Sequence, residues 1–179
     1  KDGAMHADTW VTLTWRAGEF AATHDVYMGD NFGEVNNGTH ESETFRGNIA
    51  NEFYIAGFVG YPYPDGLVPG TTYYWRIDEV NDSNPDSPWK GDVWSFWVQP
   101  VTAYNPSPAD GINYVLPGTS LNWSAGMGAS LHYVHFGDNF DYVNSAEGGQ
   151  LLTEATYSPD ALEAGKTYYW RVDEFAAGI

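Results

Sequence analysis

The sequence predicts an all-β chain: two tandem antiparallel β-sandwiches, the second lacking its last strand. Three observations predict it. Three ordered blocks of sequence occur twice along the 179 residues. The blocks alternate apolar and polar residues with the two-residue period of a strand. Clusters of Gly, Pro, Asn and Asp, which are turn residues, separate them, and no window sustains the 3.6-residue period of a helix. The nearest approach to a helix is the short SPDALEAG at 158–165.

The first block, VTLTW (11–15), returns as TSLNW (119–123) and aligns Trp15 with Trp123. The second, HDVYMGDNFGEVN (24–36), returns as HYVHFGDNFDYVN (132–144), and both pairs are offset by 108. The third, LVPGTTYYWRIDEV (67–80), returns as LEAGKTYYWRVDEF (162–175) at an offset of 95. The difference places 13 extra residues within 40–66 of the first copy, a stretch that contains FYIAGFVGYPYPDG. Each block reads as a strand. In the second, Val26 and Met28 share a face, as do Val134 and Phe136. In the third, Tyr73, Trp75 and Ile77 should face a core while Tyr74, Arg76 and Asp78 face the other way. VWSFWV (93–98) then puts Trp94, Phe96 and Val98 on one face.

No counterpart of that last segment follows Phe175. The plain expectation is a piece of a longer chain. The sharper one is self-assembly through the open edge of the second domain, since a missing strand exposes backbone donors and acceptors to strand addition. The domains are expected at about residues 1–99 and 103–179, with the Pro-rich 100–108 as linker and start of the second domain's first strand.

The string Leu67, Pro69, Gly70, Thr71, Tyr73, Arg76 and Ile77 resembles the E–F corner and following strand of fibronectin type III domains. The resemblance implies that Tyr73 is the tyrosine of a tyrosine corner and Tyr168 its twin. It also implies that Trp15 and Trp123 are core residues. Alternation adds Trp75, Trp94 and Trp170 to the core. The corner Pro69 is replaced by Ala164 in the second copy, so that turn should be less rigid. YYWRIDEV followed by KGDVWSF looks like the repeats of large secreted proteins from planctomycetes and related aquatic bacteria. That likeness implies a secreted or cell-surface location, beside laminin-G-like, discoidin-like or glycosidase domains.

Charge narrows the partners. With 24 acids against 7 bases the formal charge is −17. Nucleic acid is excluded as a partner because its phosphates call for Lys and Arg. No apolar run approaches the roughly 18 residues of a membrane span, so no membrane insertion is expected. The chain has no cysteine, which removes disulfides, thiolate metal sites and thiol catalysis. No nucleophile elbow, phosphate loop or zinc-protease motif is present. His132 and His135, three apart on a strand, point to opposite faces and make a poor metal pair. Catalysis is not expected.

Two constellations remain. Trp97 alternates out of phase with Trp94 and Phe96, and Trp89, Tyr61 and Tyr63 lie in loops, so these four are the candidate carbohydrate platform. Flat aromatics stack on the C–H face of a sugar ring. Otherwise they pack against neighbouring domains of the same chain. The oxygen-rich DEVNDSNPD, with Asp78, Asp82 and Asp86, and the two GDNF turns, with Asp30 and Asp138, are weak candidates for calcium, which takes six to eight oxygen ligands. They miss the calcium-loop pattern, and no other cofactor is expected. The sequence thus points to a non-catalytic extracellular spacer or adhesion module that holds polysaccharide. The alternatives are a surface-filament subunit joined by strand complementation, or an accessory part of a polysaccharide-degrading enzyme.

Overall fold

The structure, a computed structural model, describes residues 1–176. The chain divides into two compact units, Lys1–Gln99 and Pro100–Ile179. Both are all-β sandwiches of the fibronectin type III-like kind.

The first unit holds β1 (Ala4–His6), β2 (Val11–Thr14), β3 (Thr23–Gly29), α1 (Phe32–Asn36), β4 (Phe45–Ile49), β5 (Phe53–Ala56), β6 (Thr72–Val80) and β7 (Val93–Val98). One sheet runs β1-β7-β6-β3-β4 and the other is the pair β2-β5. Only β1 and β7 pair in parallel. Val11, Leu13, Tyr54 and Ala56 of the small sheet are buried, as are Val26, Met28, Tyr73, Ile77, Phe96 and Val98 of the large one. Trp15, just beyond β2, ties the sheets together by meeting Trp75 at 6.4 Å and His24 at 5.4 Å. Tyr73 closes its corner by accepting the Val68 N–H at 3.0 Å.

Alternation does not supply the burial of the other face of this sheet. Arg76, on the face opposite Tyr73 as alternation places it, is nonetheless 2% exposed, and Asp25, Tyr27 and Asp78 beside it are buried too. The cause is α1 and the turn after it, which lie over that face. The Arg76 guanidinium donates to the carbonyls of Val35, Asn36 and Gly38, so it satisfies the open C-terminal end of α1. It also forks onto both oxygens of Asp78 and lies 4.0 Å above the Tyr27 ring.

The second unit holds β8 (Tyr104–Ser107), β9 (Leu121–Ser124), β10 (Ala129–Gly137), α2 (Phe140–Asn144), β11 (Gln150–Leu152), β12 (Thr156–Tyr157) and β13 (Tyr169–Ala176). Its sheets run β11-β10-β13 and β12-β9-β8. Residues 100–108 are part of this unit: β8 pairs with β9, and Met127 donates to the Pro100 carbonyl at 2.7 Å. Trp123 meets Trp170 at 6.1 Å and His132 at 5.5 Å, the same cross-sheet contacts as Trp15. Tyr168 accepts the Glu163 N–H at 3.0 Å.

The two short helices were not expected. In each, an Asn caps the first turn: Asn31 accepts from the Glu34 N–H and Asn139 from the Tyr142 N–H. SPDALEAG takes turns instead. The extra residues of the first copy are not one insertion. His24 pairs with Ile49 as His132 pairs with Leu152, and Leu13 pairs with Tyr54 as Leu121 pairs with Tyr157. The surplus is therefore shared between the α1–β4 loop and the β5–β6 loop.

Candidate functional site: an exposed aromatic strip on the first unit

The β5–β6 loop folds back on the residues that enter β2. Val11 pairs with Ala56, Leu67 donates to the Thr9 carbonyl at 2.7 Å, and Gly57 donates to the Pro62 carbonyl at 2.8 Å. A turn closed from Tyr61 to Phe58 sets the loop tip. Gly57 makes the close approach possible. Its φ is +84°, and a Cβ there would stand 2.2 Å from the Thr9 carbonyl oxygen and 2.8 Å from Trp10 Cα.

That approach lines up three aromatic rings. Trp10 meets Phe58 at 6.3 Å with 64° between planes, and Phe58 meets Tyr61 at 6.4 Å with 52° between them. They remain 45%, 54% and 46% exposed, in that order. Residues 8–12 and 56–68 contain no Lys or Arg, and Asp8 and Asp65 sit among them. The strip offers apolar ring faces in a negative field, which disfavours anionic ligands. The second copy lacks these three rings: Gly118 stands where the offset of 108 places Trp10, and its shorter loop lacks Phe58 and Tyr61.

The four residues picked from the sequence do not form one surface. Tyr61 belongs to the strip. Tyr63 turns inward: its hydroxyl accepts from Arg46 at 2.6 Å, the Arg46 guanidinium lies 4.9 Å from its ring centre, and Tyr73 meets it edge-on at 5.6 Å. Burial pushes the Tyr63 phenol up, and pushes that of Tyr54 up to about 12. Trp97 pairs with Thr72 at the start of β6, whereas Trp89 pairs with Glu79 near its end. At strand rise those positions lie roughly 23 Å apart, too far for one stacking platform. Both Trp are half-buried.

The acids do not gather either. Asp78 spends its carboxylate on Arg76 and on the Gly91 N–H at 3.0 Å. Asp82 and Asp86 stand exposed in a turn. Asp30 and Asp138 stand exposed before their capping Asn residues, and Asp138 takes Lys166 at 3.4 Å. Among the described residues, no group of three or more His, Asp or Glu is placed to hold a metal ion.

Sequence reasoning also missed a buried pair repeated in both units. His24 Nδ1 meets Glu79 at 2.5 Å, and His132 Nδ1 meets Glu174 at the same distance. The free oxygen of each Glu accepts a loop N–H, from Gly18 at 3.1 Å and from Gly126 at 3.3 Å. The Trp123 indole N–H points at the same His132 nitrogen from 3.4 Å. A nitrogen that gives its proton to Glu174 cannot accept from Trp123, so the carboxylate contact wins. Each pair joins directly opposed residues of neighbouring strands in one sheet, β3 with β6 and β10 with β13. The signal was the recurrence of His and Glu at matching places in two repeated blocks.

No family model and no curated protein matches this sequence. Among solved structures, the crystal structure of chicken CNTN1 FN1-FN3 domains is similar at 13% identity and a TM-score of 0.32. The likeness covers 98% of this chain, which spans 57% of that one. The fold rests on the strand order and corner contacts above. Among the described residues, no helix is long and apolar enough to cross a membrane.

Proposed function

We propose that this chain is a non-catalytic binding module of a larger secreted or cell-surface protein, and that its first unit holds neutral polysaccharide on Trp10, Phe58 and Tyr61. One observation carries the reading: three large aromatic rings stay about half exposed, side by side, in one copy of a duplicated fold whose other copy lacks them. Exposed apolar clusters on a soluble module mark contact sites. The rings are tilted to one another, which suits a single twisted glycan chain better than a flat crystalline face. The acids around them favour uncharged sugars over sulfated or uronic ones.

Affinity electrophoresis through gels containing galactomannan, hydroxyethylcellulose or a polyuronate tests this. Retardation is expected in a neutral gel and not in the polyuronate. Trp10→Ala and Phe58→Ala should each abolish most of it, while Trp97→Ala leaves it intact. Retardation that survives Trp10→Ala, or that appears only in the polyuronate, overturns the reading.

A further inference from the structure

The end of α1 carries a chemistry that the aromatic strip does not use. Asn37 follows the helix and Gly38 follows Asn37, the one Asn-Gly step in the chain. An asparagine before glycine is open to attack on its own side chain, because glycine has no Cβ to shield its backbone nitrogen. Asn37 is exposed. The fold does not require it as asparagine. The Asn37 N–H donates to the Gly33 carbonyl at 2.9 Å and the Gly38 N–H to the Val35 carbonyl at 3.4 Å, so the helix end is closed by backbone alone. In the second unit Ser145 and Ala146 stand at these places and donate to the Asp141 and Val143 carbonyls in the same way.

The folded backbone holds the reaction shut. A ring between the Gly38 nitrogen and Asn37 Cγ closes only when that nitrogen eclipses Cβ about the Asn37 Cα–C bond. At a ψ of 4° it lies over the Asn37 nitrogen instead, so the bond must swing by about a third of a turn. That swing carries Gly38 with it, and Gly38 is held. Its carbonyl accepts from the Arg76 guanidinium at 2.9 Å. A Cβ on it would stand 2.8 Å from Thr44 Oγ1 and 2.9 Å from the Tyr27 ring, so its backbone lies pressed against both.

We propose that Asn37 is a self-modifying site, gated by the hold of Arg76 on the end of α1. When that end opens, the Gly38 nitrogen gives its proton to solvent and attacks Asn37 Cγ. The side-chain nitrogen leaves as ammonia, and a five-membered imide forms. Water then opens the ring. Cleavage of the new Cγ–N bond leaves aspartate. Cleavage of the original peptide bond leaves isoaspartate, with one more methylene in the main chain. Either product adds a negative charge beside the carbonyls that end α1. Isoaspartate also lengthens the path between the Asn36 and Gly38 carbonyls, which Arg76 bridges. Modification therefore loosens the gate that delayed it.

The full chain is aged in mildly alkaline buffer, native and in urea. The tryptic peptide of residues 17–46 is followed for the mass gain of amide to acid, and for isoaspartate by enzymatic methylation. In urea Asn37 is expected to convert ahead of every other asparagine. In the native chain its conversion should be slower by about tenfold or more. The converted protein should melt its first unit lower by about 4 °C or more. Asn37→Ser, which copies Ser145, should neither convert nor change its melting on ageing. No conversion at Asn37 in urea overturns the site, and equal rates in the two states overturn the gate. A converted first unit that melts with the unconverted one overturns the link to Arg76.

Discussion

Replacing Arg76 by Met and, separately, Arg171 by Met applies one chemical change to two copies of one fold. Arg76 satisfies three carbonyls at the end of α1 and both oxygens of Asp78; the contacts to Val35 and Asp78 are buried and those to Asn36 and Gly38 half-buried. Methionine fills the space and supplies none of the donors. It leaves a buried carboxylate with only the Gly91 N–H and takes the guanidinium from the Asn36 and Gly38 carbonyls, while the Val35 carbonyl keeps the Gly38 N–H at 3.4 Å. Breaking a buried pair from one side costs about 3–5 kcal/mol. Arg171 reaches Asp173 and the Asn144 carbonyl in the same pattern, but water can replace it there. An exposed pair of this kind contributes no more than about 1 kcal/mol. Calorimetry of each variant should lower the melting of the first unit by at least roughly 12 °C for Arg76→Met, given about 4–8 °C per kcal/mol for a unit of this size. Arg171→Met should move the second unit by under about 8 °C. Equal shifts in the two units would refute the claim that burial, and not the contact pattern alone, decides what this arginine is worth.

Gly57→Ala forces a Cβ into Thr9 and Trp10 at a positive φ, so it should cost about 2–3 kcal/mol in urea unfolding and should weaken glycan binding as Trp10→Ala does. Asn31→Ala removes the cap of α1 and should cost about 1 kcal/mol by the same assay. Tyr54 titrates near 12 folded against 10.0 in its ordinary state, so the folded form holds its proton more tightly. Its contribution is whole below pH 10 and is lost as pH rises toward 12, by roughly 2–3 kcal/mol; Tyr54→Phe should flatten that part of the stability profile.

How much of this was legible in the sequence depends on the range of each contact. The repeat and the strand blocks were legible because alternation is local and the duplication supplied each block twice. Alternation places Arg76 opposite Tyr73 but cannot show that this second face is covered, because it knows nothing of α1, which covers Arg76 from forty residues away. The helix itself left a trace in Asn31 and Glu34, three apart, ahead of buried Val35. Tyr63 and Tyr61 look alike as loop tyrosines, yet Arg46 claims one and solvent the other. Trp10 drew no attention because it lies outside every repeated block, and that absence from the second copy is what marks it.

The most direct measurement is the set of Trp indole N–H resonances, eight in all, in a ¹⁵N-resolved NMR spectrum as a neutral oligosaccharide, such as a galactomannan fragment, is added. The Trp10 signal, assigned by its loss in Trp10→Phe, is expected to shift in a saturable way while those of Trp89 and Trp97 stay still. Movement of Trp97 or Trp89 with Trp10 unmoved would contradict it.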